Sequence, residues 1–398
     1  MKLKRILPIL LALSLVAGAA AVLQAASAHQ PAFQTAPQVV AGEGQNYLLK
    51  SDGTVWAWGD AAYTLWSSPS VSYFSVPQQV LGLTNVKSIA AGYDHAVALK
   101  DDGTVWSWGY WFYGQFGDGN YDSAFEADTQ GLYADYLNLT PTQANISGVT
   151  AIAAGDGFTA ALKSNGTGGW GDPTEEDIGE EWLQPTPAQA TITGVTAIAA
   201  GADTLYALKS DGTVWAWGGN FGGALGLGVS SSAADRFTPG KISSLSGITA
   251  IFANEASSAF ALKNNGTLYA WGYNKGGQLG DGSSTNRTAP VTISLSNTKS
   301  VSASGNTAVA VKTDGTVWTW GTNSSGALGT GNASNTAKSL TPQQVPGLSG
   351  VVSADTRIAS VLAAKSDGTF WAWGQNTYGQ LGNGSSAAQN SVPVRVTL

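Results

Sequence analysis

Few side chains in this sequence could carry out a reaction. Of its two histidines, His29 lies near the start and His95 occupies one position of an internal repeat, and there is no cysteine. Disulfides, thiolate metal sites and cysteine nucleophiles are therefore excluded. His95 is expected to be a hydrogen-bonded structural residue. No G-x-S-x-G or H-E-x-x-H pattern occurs. The remaining catalytic route is a carboxylate pair of the kind that cleaves glycosidic bonds. Glu126, Asp128, Glu180 and Glu181 are the clustered candidates, and spacing alone places no two of them across a bond. Asp118, Asn120 and Asp122 open like a calcium loop, D-x-N-x-D, with Glu175, Glu176 and Asp177 as further hard oxygens. The match then fails, because Ser123 stands at the glycine position and Thr129 where a bidentate glutamate belongs. No metal or cofactor is expected.

Binding chemistry is better represented. Trp66, Trp111 and Trp182 follow three successive Trp-Gly pairs, in stretches 60–74, 110–139 and 172–184. The middle stretch adds Phe112, Tyr113, Tyr121, Tyr133 and Tyr136, and the last adds Glu180 and Glu181. From 101 to 208 there are fifteen acidic residues and one basic residue, Lys163. Aromatic anchors in a charged surround are the usual anatomy of a recognition surface, and an acidic field steers cationic partners. Local packing of the same rings against their own repeat is the competing reading.

These stretches interrupt a repeat. DGTVWAWG at 52–59 returns at 211–218, with near copies at 102, 265, 314 and 367 and a damaged one, NGTGGWG, at 165. The central glycines recur at spacings of 50, 63, 46, 54, 49 and 53. Such a period marks a stacked repeat architecture. An apolar run, Asp-Gly or Asn-Gly, then a β-branched and aromatic run predicts a hairpin with a type I′ turn. Short strands near P-x-x-V and V-x-x-IAAG bring the count to four per unit, which favours a propeller over a solenoid. Twelve of the fifteen tryptophans lie inside the motifs and are expected to pack between blades. The chain ends at VPVRVTL and the first unit begins at VVAGEGQ, so the two ends are expected to meet in one blade.

Met1–Ala28 has a basic start, an apolar run and a small-residue end, the pattern of a cleaved signal peptide; a retained anchor is the alternative. Residues 29–36 read as a short linker. Losing Lys2, Lys4 and Arg5 takes the formal charge from −7 to −10. Nucleic acid is then an unsuitable partner, and no membrane span follows the leader. The expected location is the periplasm, cell envelope or exterior, as a monomer.

AAGYDHAVALKDDGTVWSWG (90–109) and YNKGGQLGDG (273–282) resemble the regulator of chromosome condensation repeat family, over residues 37–398. The resemblance implies an all-β, seven-bladed β-propeller, here in an exported bacterial-type form with insertions at 110–139 and 172–184. The family's histidine in G-x-x-H appears once, as His95, and Gln45, Phe158, Thr204, Ser258, Thr307 and Ser360 occupy the other aligned positions. The GQLG-type turn is recognisable in five units. The founding activity, nucleotide exchange on a GTPase with chromatin binding, is not expected of an acidic chain with a leader. The expected function is a non-catalytic module that binds a protein or glycan, with a cationic ligand favoured, through the loops of units one to three. The alternatives are a carboxylate-based polysaccharide hydrolase or lyase, and a secreted inhibitor, since exported propellers of this family include one that inhibits β-lactamases.

Overall fold

The computed structural model describes residues 33–42, 45–60, 73–93, 95–110, 114–120, 137–163, 166–171, 184–229, 235–332, 334 and 337–398. Residues 35–398 form one compact unit. The expected leader at 1–28 lies outside the described residues. Among the described residues no helix is long and apolar enough to cross a membrane.

Seven four-stranded antiparallel sheets make up the unit, and each is contiguous in sequence. They are blades 1 to 7, spanning 38–79, 86–143, 149–189, 195–241, 248–293, 298–344 and 351–395. Blade 2 shows the plan: Val86–Ala91 innermost, then His95–Lys100, Val105–Tyr110 and Leu137–Gln143. The first strands pack against one another in ring order, and blade 7 returns to blade 1. The result is an all-β propeller around a central channel.

The second strands are apolar on both faces, as in HAVALK, because each blade is covered by two neighbours. Gln45, His95, Phe158, Thr204, Ser258, Thr307 and Ser360 each open a second strand, opposite the glycine of the Trp-Gly pair. Between third and fourth strands the register shifts in every blade at the residue before that glycine, a tryptophan each time. Among the described side chains a bulge there turns the ring into the gap between blades. Trp58, Trp108, Trp271, Trp320 and Trp373 are fully buried. The following glycine must be glycine: a Cβ on Gly272 or Gly374 would sit 2.2 or 2.1 Å from a carbonyl oxygen, at φ 99° or 97°.

Two expectations fail. The Asp-Gly turns are not type I′, since glycine alone has positive φ (79° at Gly53). Gly53 N–H donates to Lys50 O, and Lys50 N–H to Thr54 O, which is a type I turn followed by a glycine bulge. The aspartate serves through its carboxylate instead: Asp52 accepts from the Thr54 amide at 3.0 Å and hydroxyl at 2.6 Å. Thr54 in turn accepts from Trp56 Nε1 at 3.1 Å, and Lys50 lies over that ring. The same ladder recurs at 102–106, 211–215, 314–318 and 367–371. At Asp102, Asp211, Asp314 and Asp367 the threonine bonds hold the carboxyl below its ordinary pKa.

The chain ends also do not share a blade. Gln38–Ala41 is the innermost strand of blade 1 and Gln389–Arg395 the outermost of blade 7. The ring closes by packing: Val39, Leu48 and Trp58 meet Leu362, Phe370, Leu381 and Val396. A polar clasp joins the same seam, where Ala41 N–H donates to Asp355 at 2.9 Å.

Candidate functional site

Antiparallel pairing decides which loops share a face. The end of a third strand pairs with the start of a second strand, as Gly109 with His95. First-to-second and third-to-fourth connections therefore lie together at one face, and the Asp-Gly turns at the other. All three aromatic stretches are third-to-fourth connections, in blades 1, 2 and 3.

In blades 4 to 7 this connection is built around one buried asparagine, at Trp-Gly-x-Asn. Asn220, Asn274, Asn323 and Asn376 accept, at 3.1, 2.9, 3.0 and 2.9 Å, the amides of Leu225, Leu279, Leu328 and Leu381. Their side-chain amides donate back across the loop, Asn274 to Ser283 O and Thr285 O, Asn376 to Ser385 O and Ala387 O. Each loop then docks on the next blade. Trp271, Trp320, Trp373 and Trp58 donate Nε1–H to Ala224, Gln278, Ala327 and Gln380 carbonyls at 2.7–2.9 Å. A rigid collar results, and it includes the seam between blades 7 and 1.

Blades 1 to 3 lack the asparagine. Ala61, Trp111 and Pro173 stand in its place. Trp108, the counterpart that faces blade 1, has a buried Nε1–H that finds no carbonyl acceptor among the described residues and lies beside Tyr47. Blade 2 keeps the GQFG turn, with Gln115 and Phe116 buried. Of the candidate residues, Trp66, Trp111, Phe112, Tyr113, Tyr121, Tyr133, Tyr136, Glu180, Glu181 and Trp182 lie outside the described residues, as do Glu126 and Asp128. What the structure fixes is where their loops leave and rejoin the blades.

The calcium candidates are half described. Asp118 accepts from the Asn120 amide at 3.0 Å and its side-chain nitrogen at 2.9 Å, and its carbonyl accepts from Asn145 at 2.7 Å. That is an ordinary aspartate turn. Asp122 lies outside the described residues, among which no group of three metal-ligating side chains occurs.

His95 is buried, with Nε2 2.8 Å from Thr159 Oγ1. Thr159 donates its hydroxyl to Gln115 O at 3.1 Å, so Nε2 carries the proton and blade 2 is tied to blade 3. Burial pushes the imidazole pKa down to about 3, and the ring is neutral at physiological pH.

The same face holds a group that sequence reading missed. Arg357, at the end of the first strand of blade 7, pairs with Glu255 of blade 5 and lies over the Tyr93 ring of blade 2 at 5.3 Å. Both partners are two blades away in the ring, so the guanidinium bars the channel mouth. The signal was present: Arg357 occupies the column that holds Gly42, Gly92, Gly155 and Gly201 in blades 1 to 4, and Asp355 the column of Val40, Ala90, Ala153 and Ala199.

Comparison with known proteins agrees with this architecture. A family model for the RCC1-like domain matches residues 134–398. The regulator of chromosome condensation (RCC1) repeat matches 52–99 and 102–162. The ultraviolet-B receptor UVR8 of Arabidopsis thaliana is 29% identical over 188 residues, 46% of this chain and 41% of the receptor. The match thus spans less than half the length of that relative. Among solved structures, Prp20p of Saccharomyces cerevisiae, studied for binding to Gsp1p and histones, superposes with TM-score 0.74 at 20% identity, covering 92% of this chain and 86% of that one. Human WBSCR16 gives TM-score 0.71 at 20% identity, covering 87% and 94%. At such identity these structures support the fold alone.

Proposed function

The chain belongs to the family of RCC1-like domains, and from that premise we propose that it is an exported, non-catalytic module that binds a protein or glycan through the third-to-fourth connections of blades 1 to 3. One observation carries the reading. The asparagine that builds these loops in blades 4 to 7 is replaced in three consecutive blades, whose connections instead carry Trp66, Trp111 and Trp182 and, in blades 2 and 3, a concentration of acidic residues; the blade 2 connection is also the longest of the ring, and all three leave and rejoin the blades at one face. A rigid scaffold presenting variable loops at one end is the common arrangement of a recognition surface. The ring supplies stiffness, and the insertions supply anchors and charge. The partner favoured by fifteen acidic residues in 101–208 is cationic.

The test compares the wild type with the triple variant Trp111→Ala, Tyr113→Ala, Trp182→Ala. Both are immobilised and exposed to secreted and envelope fractions. A species retained by the wild type and lost by the folded variant supports the reading and identifies the partner. Equal retention, or none by either, overturns it.

A further inference from the structure

The central channel is a cup with two unlike walls. Its volume is about 770 Å³, within the usual range of small-molecule sites. Blades 1 to 5 line it with Val40, Ala90, Ala153, Ala199 and Phe252. Blades 6 and 7 line it with Ser300, Ser302, Ser353, Asp355 and Thr356. Arg357, held by Glu255 and Tyr93, forms the floor at the loop face. Pro37, Lys299 and Val352 lie at the opposite end, so the cup opens toward the Asp-Gly turns, away from the loops proposed to bind a partner.

The formal charges of the lining cancel, Glu255 and Asp355 against Lys299 and Arg357, but Asp355 has no cation among its described hydrogen-bond partners. Asp355 accepts from the Ala41 amide at 2.9 Å and from the Ser302 hydroxyl. The Thr356 backbone adds a third bond; none of these donors is charged, and the carboxylate keeps a further lone pair. The described cations of the lining are already engaged. Arg357 pairs with Glu255, and Lys299, at the exposed rim, donates to Val352 O at 3.0 Å. Burial pushes the Asp355 carboxyl up to about 6, against the lowering effect of its hydrogen bonds. A carboxylate in a confined, partly apolar space is costly until a cation pairs with it.

We infer that the channel is a binding site for a small organic cation, a primary amine whose ammonium meets Asp355 and Ser302 while its hydrocarbon body lies along the alanine and valine wall. The ammonium supplies three donors to acceptors that have spare lone pairs. The neutral wall selects against strongly hydrated inorganic cations.

Phenethylammonium is a suitable probe, with 2-phenylethanol as its neutral match, titrated calorimetrically into the whole protein. The expected result is saturable one-to-one binding of the amine at pH 7.5. It should weaken at least tenfold at pH 4.5 and in Asp355→Asn, with no comparable binding of the alcohol. A second readout needs no variant: carboxyl NMR of the wild type should show the Asp355 titration displaced to lower pH by the amine. No saturable binding, equal binding of the alcohol, equal binding by Asp355→Asn, or an unmoved Asp355 titration would each overturn the inference. The loop variant Trp111→Ala, Tyr113→Ala, Trp182→Ala should bind the amine as the wild type does, which separates this site from the partner surface.

Discussion

Blades 4 to 7 and blades 1 to 3 share a strand plan and differ in one connection. In the first group a buried asparagine satisfies the loop from within, and the loop caps the next blade's tryptophan. In the second group Ala61, Trp111 and Pro173 replace it, and among the described residues the buried Trp108 N–H meets no loop carbonyl. A repeat protein sums the stability of its units and their interfaces. Four locked interfaces, one of them across the seam, free the others to carry sequence chosen for other purposes.

The strongest way to break the contrast is Asn274→Ala. It orphans the buried Leu279 amide and two loop carbonyls, and is expected to cost roughly 3 kcal/mol, read as a lower denaturation midpoint at unchanged slope. The reciprocal change Ala61→Asn should gain nothing, because blade 1 has no GQLG-type turn for the new amide to organise.

His95→Thr, the side chain used in blades 4 and 6, acts through pH. The folded pKa is lowered to about 3 against an ordinary value near 6.5. Unfolded chains therefore take up a proton first, and the stabilisation present above pH 6.5 is lost as pH falls toward 3. At pH 5 the wild type should have lost roughly 2 kcal/mol that the threonine variant retains. Parallel acid-denaturation profiles would show that the blade 2–blade 3 tie has no such role.

Trp373→Phe against Trp108→Phe gives a smaller, cleaner difference. Both lose the same ring volume, but among the described residues only Trp373 loses a bond to a loop carbonyl, Ala327 O. Trp373→Phe should be the more costly by about 1 kcal/mol. Asp355→Asn should act in the opposite pH direction to His95. With the folded pKa raised to about 6, the stability contributed by the protonated carboxyl is present below the ordinary value and lost as pH rises through 6. The variant should be the more stable at pH 7.5, by roughly 1 kcal/mol given the carboxyl's exposure to the channel, and equal near pH 4.

The repeat was legible because its signals are local. Gly, Trp and the aligned positions from Gln45 to Ser360 mark strand starts and ends, and a period near fifty residues exposes them together. The turn type was misread because Asp-Gly suits two geometries, and only the backbone shows that Asp52 stays at negative φ while its carboxylate caps Thr54. The seam was misread because either phase of the four strands fits the same sequence; packing of Val396 and Leu381 on Trp58 decides it. Arg357 and Glu255 were invisible as a pair, since two blades separate them and nothing in the chain reports ring distance. The insertions carry no period, so sequence shows their chemistry but not their shape.

The central claim is that recognition belongs to the blade 1–3 connections and stability to the collar. The direct measurement replaces residues 111–136 with the blade 5 loop 274–286, then compares partner retention and denaturation midpoint with the wild type. The account predicts a ring of equal or greater stability that no longer retains the partner. A folded exchange variant that still retains it would contradict the account.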